Sequence, residues 1–275
     1  MAEADPKSSD STPRGSRTSY SAPALEKGFD VLELLATVPD GLTISEIAGR
    51  LRLSISQIFR MIIVMERRGW LYKEPGTDRY RVSYKMLDLA YRATPARELG
   101  HVATPIMYSL SRTAEQSCHL VVQHETQGLV VQRQESPARS GFAVRLGTKV
   151  NLMTSSSGHV LLAFCDPDRV KETLSKVSWP AGLTKAELND ILSKVRERGY
   201  ETMPSPRTAG VRDVSFPVFG VDGRVAAALT VPFLTRIDGS QKSNYDELKD
   251  LLRKAAADVS SGLGYSYEPA DSELE

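Results

Sequence analysis

Four consecutive hydroxyl-bearing residues, Thr154-Ser155-Ser156-Ser157, stand immediately before a helix-like segment, Gly158 to Phe164. A helix start offers free backbone N–H groups and the positive end of the peptide dipoles, so hydroxyls placed there could hold a carboxylate. Plain helix capping needs only one of the four, and that reading stands beside the first. Ser155 and Ser157 beside His159 raise a nucleophile and a base. Residues two apart on a helix point to different faces, and no Gly-x-Ser-x-Gly elbow surrounds them, so catalysis is not expected. Cys118, His119 and His124 raise zinc, but neighbours on a strand point to opposite faces and the spacing matches no standard ligand set. Neither a metal nor a cofactor is expected.

A second constellation is electrostatic. Between Arg50 and Lys85 nine basic residues stand against Glu66, Glu74 and Asp78, a local net charge of +6 inside a chain whose total is only +1. A phosphate-facing surface belongs there. The elements that must carry it are short and ordered. Leu25 to Ala36, Ile44 to Leu51 and Ile55 to Arg68 have helical periodicity. In the first, Leu25, Phe29, Leu32 and Ala36 form one apolar stripe. Pro39-Asp40-Gly41 ends it, Thr43 with Glu46 makes a capping box for the second, and Ser54 caps the third. Tyr72 to Arg81 reads as a hairpin turning at Pro75-Gly76-Thr77-Asp78. Three helices and a two-stranded ribbon in about sixty residues spell a winged helix-turn-helix.

On the third helix Ile58, Met61, Ile62 and Met65 cluster on one side and Ser56, Arg60, Ile63 and Arg67 on the other. An exposed Ile63 beside two arginines makes sense against DNA: Ser56, Gln57 and Arg60 meet base edges or phosphates, and Ile63 meets thymine methyls or sugar. Lys73, Arg79 and Arg81 on the wing fit phosphate contacts. A solvated amphipathic helix and an ordinary charged hairpin are the plain alternatives.

The length suggests two domains. Residues 1–21 are rich in Ser, Pro, Thr and charge and read as a disordered tail, with Arg14 and Arg17 able to reach a minor groove. Residues 22–82 form the winged unit, 83–94 a linker helix with Met86 and Leu89 on it, and 95–268 a second domain in which Pro95 breaks the linker or opens the next helix. There, strands are expected at Cys118 to Gln123, Leu129 to Glu135, Gly141 to Leu146, Asp213 to Phe219 and Arg224 to Val231. Helices are expected at Gly158 to Phe164, Asp166 to Val177, Lys185 to Arg198 and Ser240 to Ser261. Val221-Asp222-Gly223 is a hairpin signal, and the alternation argues for a mixed, largely antiparallel α/β domain. The start of the chain lacks an apolar core for a secretory signal. The run Val225 to Leu234 is about half a membrane span, and two unpatterned cysteines suit a reducing cytoplasm.

Several stretches resemble the IclR family of bacterial transcriptional regulators. Ala24-Leu25-Glu26-Lys27-Gly28-Phe29-Asp30-Val31-Leu32 opens the series, followed by Gly41-Leu42-Thr43-Ile44-Ser45-Glu46-Ile47-Ala48 and Tyr80-Arg81-Val82. Val144-Arg145-Leu146-Gly147, Thr154 to Ala163, Gly210-Val211-Arg212-Asp213-Val214-Ser215-Phe216-Pro217 and Gly223 to Leu229 continue it. Each motif alone is weak; together and in order they are specific, over roughly Ala22 to Gly262.

The resemblance implies a GAF-like effector-binding C-terminal domain with a pocket at Thr154, Ser155 and Ser157, closed by Asp213, Ser215 and Thr230. It also implies pairing of the DNA-binding units between subunits, in a homodimer or tetramer. The chain departs from the pattern at Ser54 and Ile55, where a proline and a lysine are common, and at Met203 to Thr208, which replaces an acidic run. The expectation is therefore an α+β, two-domain regulator that binds double-stranded operator DNA and responds to a small organic acid, with no membrane contact. The alternative is a DNA-binding protein whose C-terminal domain serves only oligomerisation or partner docking.

Overall fold

The computed structural model describes residues 22–93, 96–139 and 141–266; the tail with Arg14 and Arg17, and the break at Pro95, lie outside them. The chain divides into two units, Met1–Ala93 and Thr94–Glu275.

The first unit holds α1 (Pro23–Ala36), α2 (Ile44–Leu51), α3 (Ile55–Arg67), β1 (Leu71–Lys73), β2 (Tyr80–Val82) and α4 (Lys85–Ala93). The capping box at Thr43 and Glu46 is present, and a second one joins Ser54 to Gln57. Each satisfies two backbone donors that a helix start leaves open, which fixes where α2 and α3 begin. Arg52 takes a left-handed conformation at the end of α2, and the chain turns directly into α3. Val31, Leu35, Leu42, Ile47, Ile58, Ile62, Leu71 and Tyr80 form the core. A bridge between Leu42 and Tyr80 ties the segment before α2 to the wing. It brings the backbone so close that a Cβ on Gly41 (φ +68°) would lie 2.7 Å from the Tyr80 carbonyl oxygen.

The stripe of Leu25, Phe29, Leu32 and Ala36 is split: Leu32 packs against the core beside the buried Val31 and Leu35, whereas Leu25 and Phe29 stand exposed.

The second unit is a six-stranded antiparallel sheet between two layers of helices. Its elements are α5 (Ala96–Ala114), β3 (Cys118–His124), β4 (Gln127–Gln134), β5 (Lys149–Asn151), α6 (Ser156–Ala163), α7 (Pro167–Ser175) and α8 (Lys185–Arg198). Then follow β6 (Glu201–Pro204), β7 (Val211–Phe219), β8 (Val225–Leu234) and α9 (Tyr245–Gly262). The strand order is β5-β4-β3-β8-β7-β6. On one face Val214, Phe216 and Val218 of β7 pack with Leu99 and Met107 of α5 and Leu248, Leu252 and Val259 of α9. On the other, Val121, Val130 and Ala228 pack with Val160 and Leu161 of α6 and Leu188, Leu192 and Val195 of α8.

Gly141 to Leu146 is not a strand. The chain meets β4 only at Gly147 (φ +75°), whose amide donates to the Val130 carbonyl while the Val130 amide donates to the Thr148 carbonyl, and the strand is Lys149–Asn151. The last helix begins at Tyr245 rather than Ser240, because Asn244 with Glu247 supplies its capping box. The edge strand β6, with Glu201 and Pro204, has no apolar alternation to announce it.

Candidate functional site

In the first unit, α3 presents Ser56, Arg60, Ile63 and Arg67 to solvent, as its periodicity predicts, and buries Ile58 and Ile62. The guanidinium groups of Arg60 and Arg67 have no ion-pair partner among the described residues. Gln57 differs from expectation. Its Oε1 accepts the Ser54 amide at 3.1 Å, so the carbonyl that a bidentate contact to adenine requires is committed to the cap. Ser56 shares a hydroxyl–hydroxyl bond with Ser54 at 3.1 Å.

The wing cations are all paired. Lys73 binds Asp78, a hydrogen bond that raises the lysine above its ordinary range. Arg81 binds Glu74 at 3.0 Å, with its Nε buried and unpartnered. Arg79 is the clearest correction to a purely phosphate-facing reading. Its Nη1 donates to the Gly41 carbonyl at 2.8 Å, and Nη2 to Glu46 Oε1 at 3.3 Å. Glu46 is held below the usual carboxylate range, chiefly by the Thr43 amide, and so stays ionised to receive it. Arg79 therefore ties the wing to the start of α2.

In the second unit, register aligns one polar row across five strands. Glu201 of β6 stands opposite Ser215 of β7, which stands opposite Thr230 of β8. Thr230 faces His119 of β3, and His119 faces Arg133 of β4. Directly opposed residues share a face of the sheet, and here that face is the one α6 covers. Ser156 Oγ of α6 lies 2.8 Å from Ser215 Oγ, which lies 2.7 Å from Thr230 Oγ1. Three of the hydroxyls near the expected pocket are thus buried and bonded to one another.

Ser155 is the cap of α6. It accepts from the Gly158 amide at 3.1 Å and donates to the Asn151 carbonyl at 2.6 Å. Ser157 is buried and Thr154 half-buried. His159 donates from Nε2 to the Met153 carbonyl at 2.8 Å, and its Nδ1 lies 2.9 Å from Glu201 Oε2. Both ring nitrogens are taken, so the ring serves no serine as a base. Glu201 also accepts from the Thr202 amide and from Arg198, closing a buried cluster that ties the α6 start to the sheet edge.

Two polar side chains on this face have no hydrogen-bond partner among the described residues. One is Asp213, half-buried two residues before Ser215 on β7, whose carboxyl burial pushes up to about 6. The other is His119, whose imidazole burial pushes down to about 4, leaving it neutral at pH 7. Cys118, next to it, lies on the opposite face in the α5–α9 core, with a thiol that burial raises to about 12. Nothing in the sequence singles out Glu201 or Arg133; only the strand register, which no local pattern encodes, brings them to this row.

The comparisons with known proteins agree with this architecture. The IclR helix-turn-helix domain matches residues 24–75, and the bacterial transcriptional regulator IclR C-terminal domain matches residues 92–261. The HTH-type transcriptional regulator KdgR of Escherichia coli is 28% identical over 248 residues, covering 88% of this chain and 93% of its own. The crystal structure of the Thermotoga maritima IclR superposes with a TM-score of 0.68 at 26% identity, over 88% of this chain and 98% of that one. An IclR homolog from Microbacterium hydrocarbonoxydans, complexed with 4-hydroxybenzoate, superposes with a TM-score of 0.72 at 26% identity, over 87% and 98%. With a winged helix-turn-helix ahead of an antiparallel sheet layered by helices, and both domains matched in order, the chain belongs to the IclR family of bacterial transcriptional regulators.

Proposed function

We propose that this chain acts in the cytoplasm as a homodimer or a tetramer, gripping an inverted-repeat operator. A small organic acid in the C-terminal unit adjusts that grip. The observation that carries the effector reading is the pair of unpartnered side chains, Asp213 and His119, on the face covered by α6. Both side chains are largely withdrawn from water without a partner, and a ligand offering a donor and an acceptor there would satisfy them. Thr154 and the α6 start, capped by Ser155 with Ser157 behind it, favour the carboxylate end. Ser215 and Thr230 line the floor, and the Ser156 chain reopens to receive the ligand.

Asp213 would repel a bare carboxylate. Its place favours an acid bearing a hydroxyl or an amine, and the 4-hydroxybenzoate in the Microbacterium relative has that pattern. No helix among the described residues is long and apolar enough to cross a membrane, which suits a regulator that meets DNA directly.

The test is a thermal-shift screen of hydroxy and amino acids, 4-hydroxybenzoate included, followed by DNA binding with and without each hit. A ligand that binds only the native state raises the melting temperature. A hit should also change operator affinity, and Thr230→Val should blunt the response while leaving the unliganded protein's DNA binding intact. A panel with no hit leaves the C-terminal unit to oligomerisation or partner docking alone.

A further inference from the structure

The exposed side of α3 is divided. Ser56, Arg60 and Arg67 form its polar flank. Beside them Ile55, Phe59 and Ile63, at successive four-residue steps, form an apolar flank that is 53%, 49% and 40% exposed. Large apolar groups exposed in a row on one helix call for a partner. The same helices are rich in cations: exposed Arg60 and Arg67 on α3, with Arg50, Arg52 and Arg68 at the ends of α2 and α3. Such a local charge favours a polyanion over an apolar protein surface. The polar readers are few, because Gln57 serves the cap and Ser56 bonds to Ser54.

We propose that Ile55, Phe59 and Ile63 read thymine methyl groups in the major groove and supply much of the operator's sequence preference, with Arg60 reading one base edge beside them. The proposal rests on α3 being the recognition helix and goes further, to the chemistry it reads. The C5-methyl of thymine is the one apolar feature of a base edge in the major groove. Residues four apart on a helix are separated by about 6 Å along its axis, and base pairs by about 3.4 Å. The three side chains therefore meet roughly every second base pair, and each half-site should carry thymines at that spacing.

The experiment uses the full chain and duplexes selected from a random-sequence library. The selected half-sites should be enriched in thymine at two-base intervals. Replacing one such thymidine by deoxyuridine removes only the methyl and should weaken binding about fourfold, the equivalent of one buried methyl group. Phe59→Ala should bind the thymidine and deoxyuridine forms of one position equally. Its side chain is half exposed, so the variant folds, and it should sediment as the wild type does.

If wild type binds both forms of every selected thymine alike while Arg60→Ala still loses sequence preference, the methyl reading is refuted and the recognition helix stands. If Arg60→Ala and Phe59→Ala both leave the preference untouched, the reading of α3 itself fails. A Phe59→Ala protein that falls to a smaller species assigns the stripe to a second copy of the chain and overturns the proposal.

Discussion

His119 and Asp213 make opposite demands on acid stability, and substituting either one should expose the other. Folding lowers the His119 imidazole from 6.5 to about 4. Between those values the unfolded chain binds a proton that the folded one refuses, so stability is present above pH 6.5 and is lost as the pH falls. From pH 7 to pH 5 that loss is about 2 kcal/mol, from the free-energy equivalent of a pKa shift. Folding raises Asp213 from 3.8 to about 6. Here the folded chain holds the extra proton, so stability rises as the pH falls through 6. The gain is about 1 kcal/mol over the same interval, an upper value because the carboxyl is partly solvated. Wild type therefore shows only a shallow dependence from this pair. Asp213→Asn should lose about 2 kcal/mol between pH 7 and pH 5 while His119→Asn gains about 1, a difference of about 3 kcal/mol, and His119→Asn should become steadier in acid than wild type. Urea unfolding of the three proteins at pH 7, 6 and 5, compared at a common slope, measures it. Parallel stability–pH curves for wild type and His119→Asn would refute a burial-driven shift at His119.

Other outcomes follow from the same geometry. Gly158→Ala would place a Cβ 2.5 Å from the Leu152 backbone, and should cost about 1–3 kcal/mol in thermal unfolding, since that contact is with main chain and cannot swing aside. Arg79→Lys should lose nearly as much DNA affinity as Arg79→Ala on specific and random duplexes, because a lysine keeps the charge but cannot reach Gly41 and Glu46 together. If lysine restores binding in a gel-shift titration, Arg79 is a phosphate contact instead. Leu89→Glu, on the exposed face of α4, should raise the monomer fraction in sedimentation; an unchanged distribution would place the subunit contact elsewhere.

Local chemistry was legible where its signals are short-range. Thr43 with Glu46 and the periodicity of Ile58, Met61, Ile62 and Met65 pointed to α2 and to the buried face of α3 without reference to anything distant. On α1 the spacing shows that a stripe exists and not which surface it meets: Leu32 packs on the core, whereas Leu25 and Phe29 stand exposed. Gln57 reads equally well as a base contact or as the third residue of a capping box, and only the position of Ser54 decides. The row from Glu201 to Arg133 was invisible for a different reason. Its members come from five strands whose alignment depends on bulges between Leu120 and Val121 and between Val218 and Phe219.

The pairing of β3 with β8 also governs how the second unit comes into being. His119 and Thr230 are neighbours in the sheet though more than a hundred residues separate them along the chain. During synthesis the β3–β4 hairpin emerges early, and its inner edge has no strand to meet until β8 has been made. For that interval it presents open backbone groups and the apolar side chains Leu120 and Val121, a template for wrong pairing between nascent chains. Closure of such long loops is slow. A chain ended before Val225 would carry that open edge permanently, and its fate would be aggregation, not a smaller folded domain.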